Sequence, residues 1–201
     1  MSATDTKRSS ATKDQDCWFV VKCHCGSVQG RFRCNPSKGI TAWKCDCSDC
    51  NMRQNTHIIV PASSGFQLDM PSAKSTSSVS DSNDGDGDAL DDKEITAAAA
   101  HHAEQVALYE SATTLYQWGT KTAVRRFCRT CGILPWYQPR SNPDGFGITM
   151  HCVDWSGNGK PGSTPLPDFV RVETFDGQNW ERTMEDMRDG KRKVNILTQS
   201  K

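Results

Sequence analysis

Seven cysteines fall into three tight groups: Cys23-His-Cys25, Cys45-Asp-Cys47-Ser-Asp-Cys50 and, far downstream, Cys128-Arg-Thr-Cys131. A fold built on this chain must gather those thiols, and disulfides do not account for the pattern. Cysteines one residue apart cannot bridge internally without strain. Residues 1–16 are polar and carry no apolar stretch of the kind that marks export, so an oxidising compartment is not expected. Metal ligation is the reading that fits both the spacing and the compartment.

The groups divide unequally. A structural zinc takes four thiolate or imidazole ligands at tetrahedral corners, whereas a working zinc keeps three and leaves a position for substrate. Cys23 and Cys25 on one turn, with Cys128 and Cys131 on another, make one four-ligand set. That set closes a long loop, the case in which a cross-link stabilises most in the chain-entropy picture. Cys45, Cys47 and Cys50 remain as a three-ligand set for a second ion. Three thiolates over-neutralise Zn²⁺, so the site favours a soft fourth ligand, a thiol, over water activated for hydrolysis. The competing reading closes the triplet with His57, Cys152, Cys34, Cys17 or His24.

The rest of the 201 residues suggest one mainly β domain with appendages. Short strands are expected at 17–23, 27–33, 41–45, 56–60, 114–118, 123–127, 133–138, 148–153 and 170–175, separated by Gly, Pro and Asn. Residues 1–16 read as a disordered lead, 17–190 as the domain and 191–201 as a flexible tail. An acidic insertion at about 71–100, rich in Ser, Asp and Gly, interrupts the domain and reads as disordered, and a short helix is expected from Ala97 to about Leu108. The run Asp84-Gly-Asp86-Gly-Asp88 imitates a calcium loop. With Gly87 in the glycine place, however, the twelfth position is Lys93 where a bidentate Glu is required. Near the C-terminus Asn179 can cap a helix whose Trp180, Met184 and Met187 share one face, with Gly190 as its stop. That face is expected to pack on the β domain.

Lys+Arg and Asp+Glu are equal at 24 each, so the chain has no overall basic field for nucleic acid. A zinc-ribbon nucleic-acid binder is therefore the weakest functional reading. No run of about 18 apolar residues suggests a membrane span. A cytoplasmic location is expected, with the nucleus as the alternative.

The motifs resemble those of the glutathione-dependent formaldehyde-activating enzyme family, and within it the centromere protein V branch. Its pattern is carried by Cys23-His-Cys25-Gly26, the central triplet, and Phe127-Cys128-Arg-Thr-Cys131-Gly132. The segments 54–63, 139–147, 151–154 and 175–180 are similar too. The resemblance covers about residues 17–190 apart from the insertion. It implies an Mss4-like fold, a β-tent of short antiparallel sheets stapled by zinc, with a C-terminal helix. It also implies two Zn²⁺ per chain: a structural ion on Cys23, Cys25, Cys128 and Cys131, and a second, open one on Cys45, Cys47 and Cys50, which would be the catalytic group.

The implied activity is that of a carbon–sulfur lyase or synthase joining formaldehyde to glutathione, or to a similar small thiol. Arg125, Arg126 and Arg140 are candidates for the glutathione carboxylates. The glycine-punctuated loop 141–147 is a candidate for backbone N–H contacts. The alternative is a non-catalytic zinc-structured interaction module of the centromere protein V type, meeting a protein partner through its acidic insert and basic tail.

Overall fold

A computed structural model describes residues 15–71 and 92–191. The expected lead before residue 15, the acidic run with its calcium-loop imitation, and the tail after Lys191 lie outside the described residues. Among the described residues, ten strands form two sheets. The smaller joins β1 (Cys17–Lys22), β2 (Gln29–Cys34) and β5 (Phe66–Leu68). The larger has the order β10-β3-β4-β9-β8-β7-β6. Its strands are β3 (Ile40–Cys45), β4 (Thr56–Pro61), β6 (Thr113–Tyr116), β7 (Val124–Cys128), β8 (Trp136–Gln138), β9 (Gly145–Thr149) and β10 (Val170–Phe175). Four helices complete it: α1 (Ser48–Arg53), the single turn α2 (Ala62–Gly65), α3 (Asp92–Ala112) and α4 (Trp180–Arg188).

Strand alternation gives the large sheet two different faces. One belongs to the core, where Ile58, Ile148 and Trp136 sit in register on β4, β9 and β8 and are almost wholly buried. Val21 and Phe32 of the small sheet join the same core, and Val21 of β1 forms an isolated bridge with Val153, just beyond the turn that follows β9. The other face carries the rows Trp43–His57 and Arg125–Tyr137–Gly147–Ile59. That second face lines a cavity.

The fold departs from the sequence reading in several places: β5, α1 and α2 are not among the expected elements, and the strand expected at 133–138 is confined to Trp136–Gln138. One pair of the large sheet is parallel: β10 lies beside β3, from Val170 opposite Ile40 to Phe175 opposite Cys45. The strand expected at 148–153 instead runs Gly145–Thr149 and ends in a 3-10 turn over Met150–Cys152. Glycine argues against a strand, but here it admits close neighbours: a Cβ on Gly147 would strike the Tyr137 ring. The short helix is longer than expected and begins at Asp92, so residues 92–100, read from sequence as part of a disordered insertion, are helical. Only its last turns pack, with Tyr109 stacked on Trp136 at 5.3 Å. Residues 97–104, rich in alanine, are exposed and suit a helix by intrinsic propensity.

At α4, Asn179 occupies the cap position, but its side chain donates to Asp176 and not to the helix. Asp176 in turn accepts from the Asn179 amide. Trp180, Met184 and Met187 line the cavity wall in place of a close-packed contact. Among the described residues, no helix is long and apolar enough to cross a membrane.

Candidate metal centres and the cavity between them and α4

Cys23, Cys25, Cys128 and Cys131 converge, with all four sulfurs within 4.8 Å of one another. The Cys23 carbonyl accepts from Gly26 N–H and the Cys128 carbonyl from Gly132 N–H, so each pair sits on a tight turn. Gly26 and Gly132 take the positive φ that those turns need (79° and 71°). The Cys23–Cys25 and Cys25–Cys128 sulfur distances are both 3.5 Å. Sulfurs on a tetrahedral ion at the usual bond length stand about 3.8 Å apart, so the set fits such an ion closely. Val28 N–H donates to Cys23 Sγ at 3.3 Å, the kind of contact that orients a ligand thiolate. Burial pushes the Cys23 thiol up to about 12, while the Ser27 hydroxyl and backbone bring Cys25 down to about 6.

Cys45, Cys47 and Cys50 form a second group within the same limit. Cys45 ends β3, Cys47 caps α1 and Cys50 lies one turn in, so a strand-to-helix corner aims all three inward. Cys47 is held well below the usual thiol range by hydrogen bonds from Cys45 and Cys50, helped by the amides of Cys50 and Asp49. Its two neighbours are driven the other way, Cys45 to about 11 and Cys50 higher still, because each shares its proton with nearby sulfurs. Three sulfurs with one favoured negative charge among them are a donor set suited to a soft cation.

None of the residues named from sequence as a fourth ligand joins this group among the described residues. His57 bonds to Tyr137 instead, and Cys152 and Cys34 are buried in the core. Cys17 lies opposite Cys34 at the outer end of the small sheet, and His24 is an exposed residue of the first turn.

The triplet opens onto a cavity of about 650 Å³. Trp43, Phe175, Trp180, Met184 and Met187 give it an apolar, aromatic wall. Among the described residues its charged lining is Arg125, Arg140 and Arg188, with no carboxylate. Arg125 is fixed by Asp49 at 2.6 Å, and Arg53 reaches the other oxygen of that carboxylate at 2.6 Å. Arg140 stacks on Trp180 at 3.6 Å and bonds Glu181 at 3.0 Å, clamping α4 over the opening.

Gly177 presses the turn after β10 against the triplet, where a Cβ would collide with Cys45 Sγ. The Gly177 and Gln178 amides both donate to Asp46, at 2.7 and 3.2 Å, which locks that turn to the cysteine corner.

Of the three arginines named from sequence, Arg125 and Arg140 reach this cavity. Arg126 faces the opposite side of β7 and pairs with Glu110 at 2.9 Å. In the 141–147 loop, Ser141 and Asn142 line the cavity, but the Asn142 and Gly145 amides are spent on Pro139 and Asn142 within the loop. Sequence reasoning missed Arg188, Gly177 and the role of Tyr137. Strand alternation would have placed Arg125 and Arg126 on opposite faces, but no local signal joins Tyr137 to His57.

Fold and site define a mainly β protein with two cysteine groups able to hold metal ions. No protein-family model matches the chain. Among solved structures, the crystal structure of a Rhodobacter sphaeroides protein, a structural-genomics target, is similar. It is 23% identical, the match covers 78% of this chain and 99% of that one, and the TM-score is 0.44.

Proposed function

We propose that the chain is a zinc protein that joins a glutathione-type thiol to formaldehyde or releases it again, as a carbon–sulfur lyase does. Cys23, Cys25, Cys128 and Cys131 hold a structural ion; Cys45, Cys47 and Cys50 hold the working one. The observation that carries this reading is the contrast between the two groups. Four cysteines complete one set, while three line a 650 Å³ cavity with no fourth protein ligand among the described residues.

Zinc bound to the triplet would stabilise a substrate sulfur as thiolate at neutral pH. The chain's own residues do the rest. Arg125, Arg140 and Arg188 line the cavity and, with Arg53, outnumber the Asp49 and Glu181 carboxylates that pair with them, which makes a receptive field for the carboxylates of glutathione. Arg125 and Arg53 share the single carboxylate of Asp49, leaving one positive charge in excess beside the triplet. The Trp43, Phe175 and Trp180 wall sheds water from the reacting sulfur.

The test is metal content and glutathione affinity in the intact protein and in Cys47→Ser. Two ions and glutathione binding in the former, with one ion and lost binding in the latter, are expected. A variant that keeps both ions and the same affinity overturns the proposal.

A further inference from the structure

Tyr137 is among the most closely placed side chains of the cavity. Its ring lies over Gly147 of β9, where a methyl group would not fit, and the Arg125 guanidinium stands 5.3 Å from its centroid. Its hydroxyl meets His57 Nε2 at 3.1 Å, with the His57 ring edge-on at 5.3 Å. Both residues are buried and both line the cavity that holds the cysteine triplet. His57 Nδ1 is buried with no hydrogen-bond partner.

The hydrogen count of this pair is uneven. A neutral imidazole carries one N–H and a phenol one O–H, so the pair holds two labile hydrogens. One hydrogen bond uses one of them. Whichever tautomer His57 adopts, one donor is left unspent in a buried site, at a desolvation cost that a ligand would relieve. Because Nδ1 exposes no surface, the Tyr137 hydroxyl is the end left for a ligand, in the tautomer in which His57 Nε2–H donates to it. Burial of both rings keeps the phenol protonated and the imidazole neutral, which suits this arrangement.

We infer that the Tyr137 hydroxyl, positioned by His57, is the binding site for the oxygen of an aldehyde reactant and of the hemithioacetal it becomes. The inference rests on the thiol reading of the triplet. The thiol sulfur supplies an electron pair to the carbonyl carbon and an S–C bond forms. The C=O π pair moves to oxygen, and the proton given up by the thiol ends there as the new hydroxyl. Tyr137 hydrogen-bonds that oxygen while its negative charge grows. Tyr137 is thus the catalytic contact and His57 a positioning residue.

The experiment compares 2-mercaptoethanol with propane-1-thiol, equal in heavy atoms and differing by one oxygen, on the metal-bound full chain. Tyr137→Phe should weaken 2-mercaptoethanol about 5- to 10-fold, the scale of one hydrogen bond, and leave propane-1-thiol unchanged. In the unaltered protein, the ¹⁵N resonances of the His57 ring should move with 2-mercaptoethanol and stay still with propane-1-thiol. A ratio of the two affinities that Tyr137→Phe does not change, or a His57 signal indifferent to the oxygen, overturns the inference. If both thiols bind and glutathione does not, the glutathione reading falls while the oxygen site stands on its ratio. If neither thiol binds, both fall.

Discussion

Asp49 and Arg125 meet at 2.6 Å with both side chains almost fully enclosed, 7% and 8% exposed. The pair joins two units that the backbone leaves separate, since Asp49 stands on the helix that carries Cys50 and Arg125 on a strand of the large sheet. Neutralising the carboxylate strands two arginines beside the triplet. Asp49→Asn is expected to destabilise the protein by about 3–5 kcal/mol, the usual result of orphaning a buried charge. Urea unfolding of Asp49→Asn, Arg125→Gln and the double variant checks this. The double variant should recover part of the loss.

Gly177 has no room for a side chain against Cys45 Sγ and the Cys47 backbone. Gly177→Ala should displace the cysteine corner and weaken metal binding there by about tenfold or more, the scale set by supporting residues around metal ligands. Competition with a chromogenic chelator would read this as one ion released early and the other retained.

The two cysteine groups should separate in their structural consequences. Metal sites of the closed kind supply folding free energy directly. Cys128→Ser is therefore expected to lose native near-ultraviolet dichroism and dispersed amide resonances, whereas Cys47→Ser keeps both. Equal dispersion in the two variants would contradict the division.

His57 sets a pH dependence with a definite sign. Burial lowers it to about 4 from its ordinary 6.5, so the unfolded chain takes up the proton first. Stability from this group is complete above its unfolded value and falls as pH drops through the interval, by about 1.4 kcal/mol per pH unit. Urea midpoints taken between about pH 7 and pH 5 should fall less steeply in His57→Gln than in the unaltered protein. Acid release of metal from the cysteines affects both alike and cancels in the difference.

The cysteine groups were legible because their ligands are local: each cluster announces itself by spacing, and only the pairing of first with third needed an argument. Most strands were legible for the same reason, as short β-rich runs between turn residues. The parallel placement of β10 was not, because nothing in Val170–Phe175 indicates which neighbour it will choose. Nor was β9, where glycines that disfavour a strand are required by the Tyr137 ring and the Val60 backbone. The amphipathic face of α4 was read correctly as apolar but not as a cavity wall, since periodicity does not reveal whether an apolar face meets protein or a ligand space. His57 and Tyr137, 80 residues apart, meet only through the register of three strands.

The placement of the ligands along the chain also sets the order in which the molecule can be assembled during synthesis. Cys45, Cys47 and Cys50 emerge together and could hold an ion before Cys128 and Cys131 are made. The other set must wait for Cys131, and the wall of the cavity for Phe175 and α4. Of the segments that border the triplet's cavity, α4 is the one synthesised last, so the cavity wall closes only after the chelating corner exists.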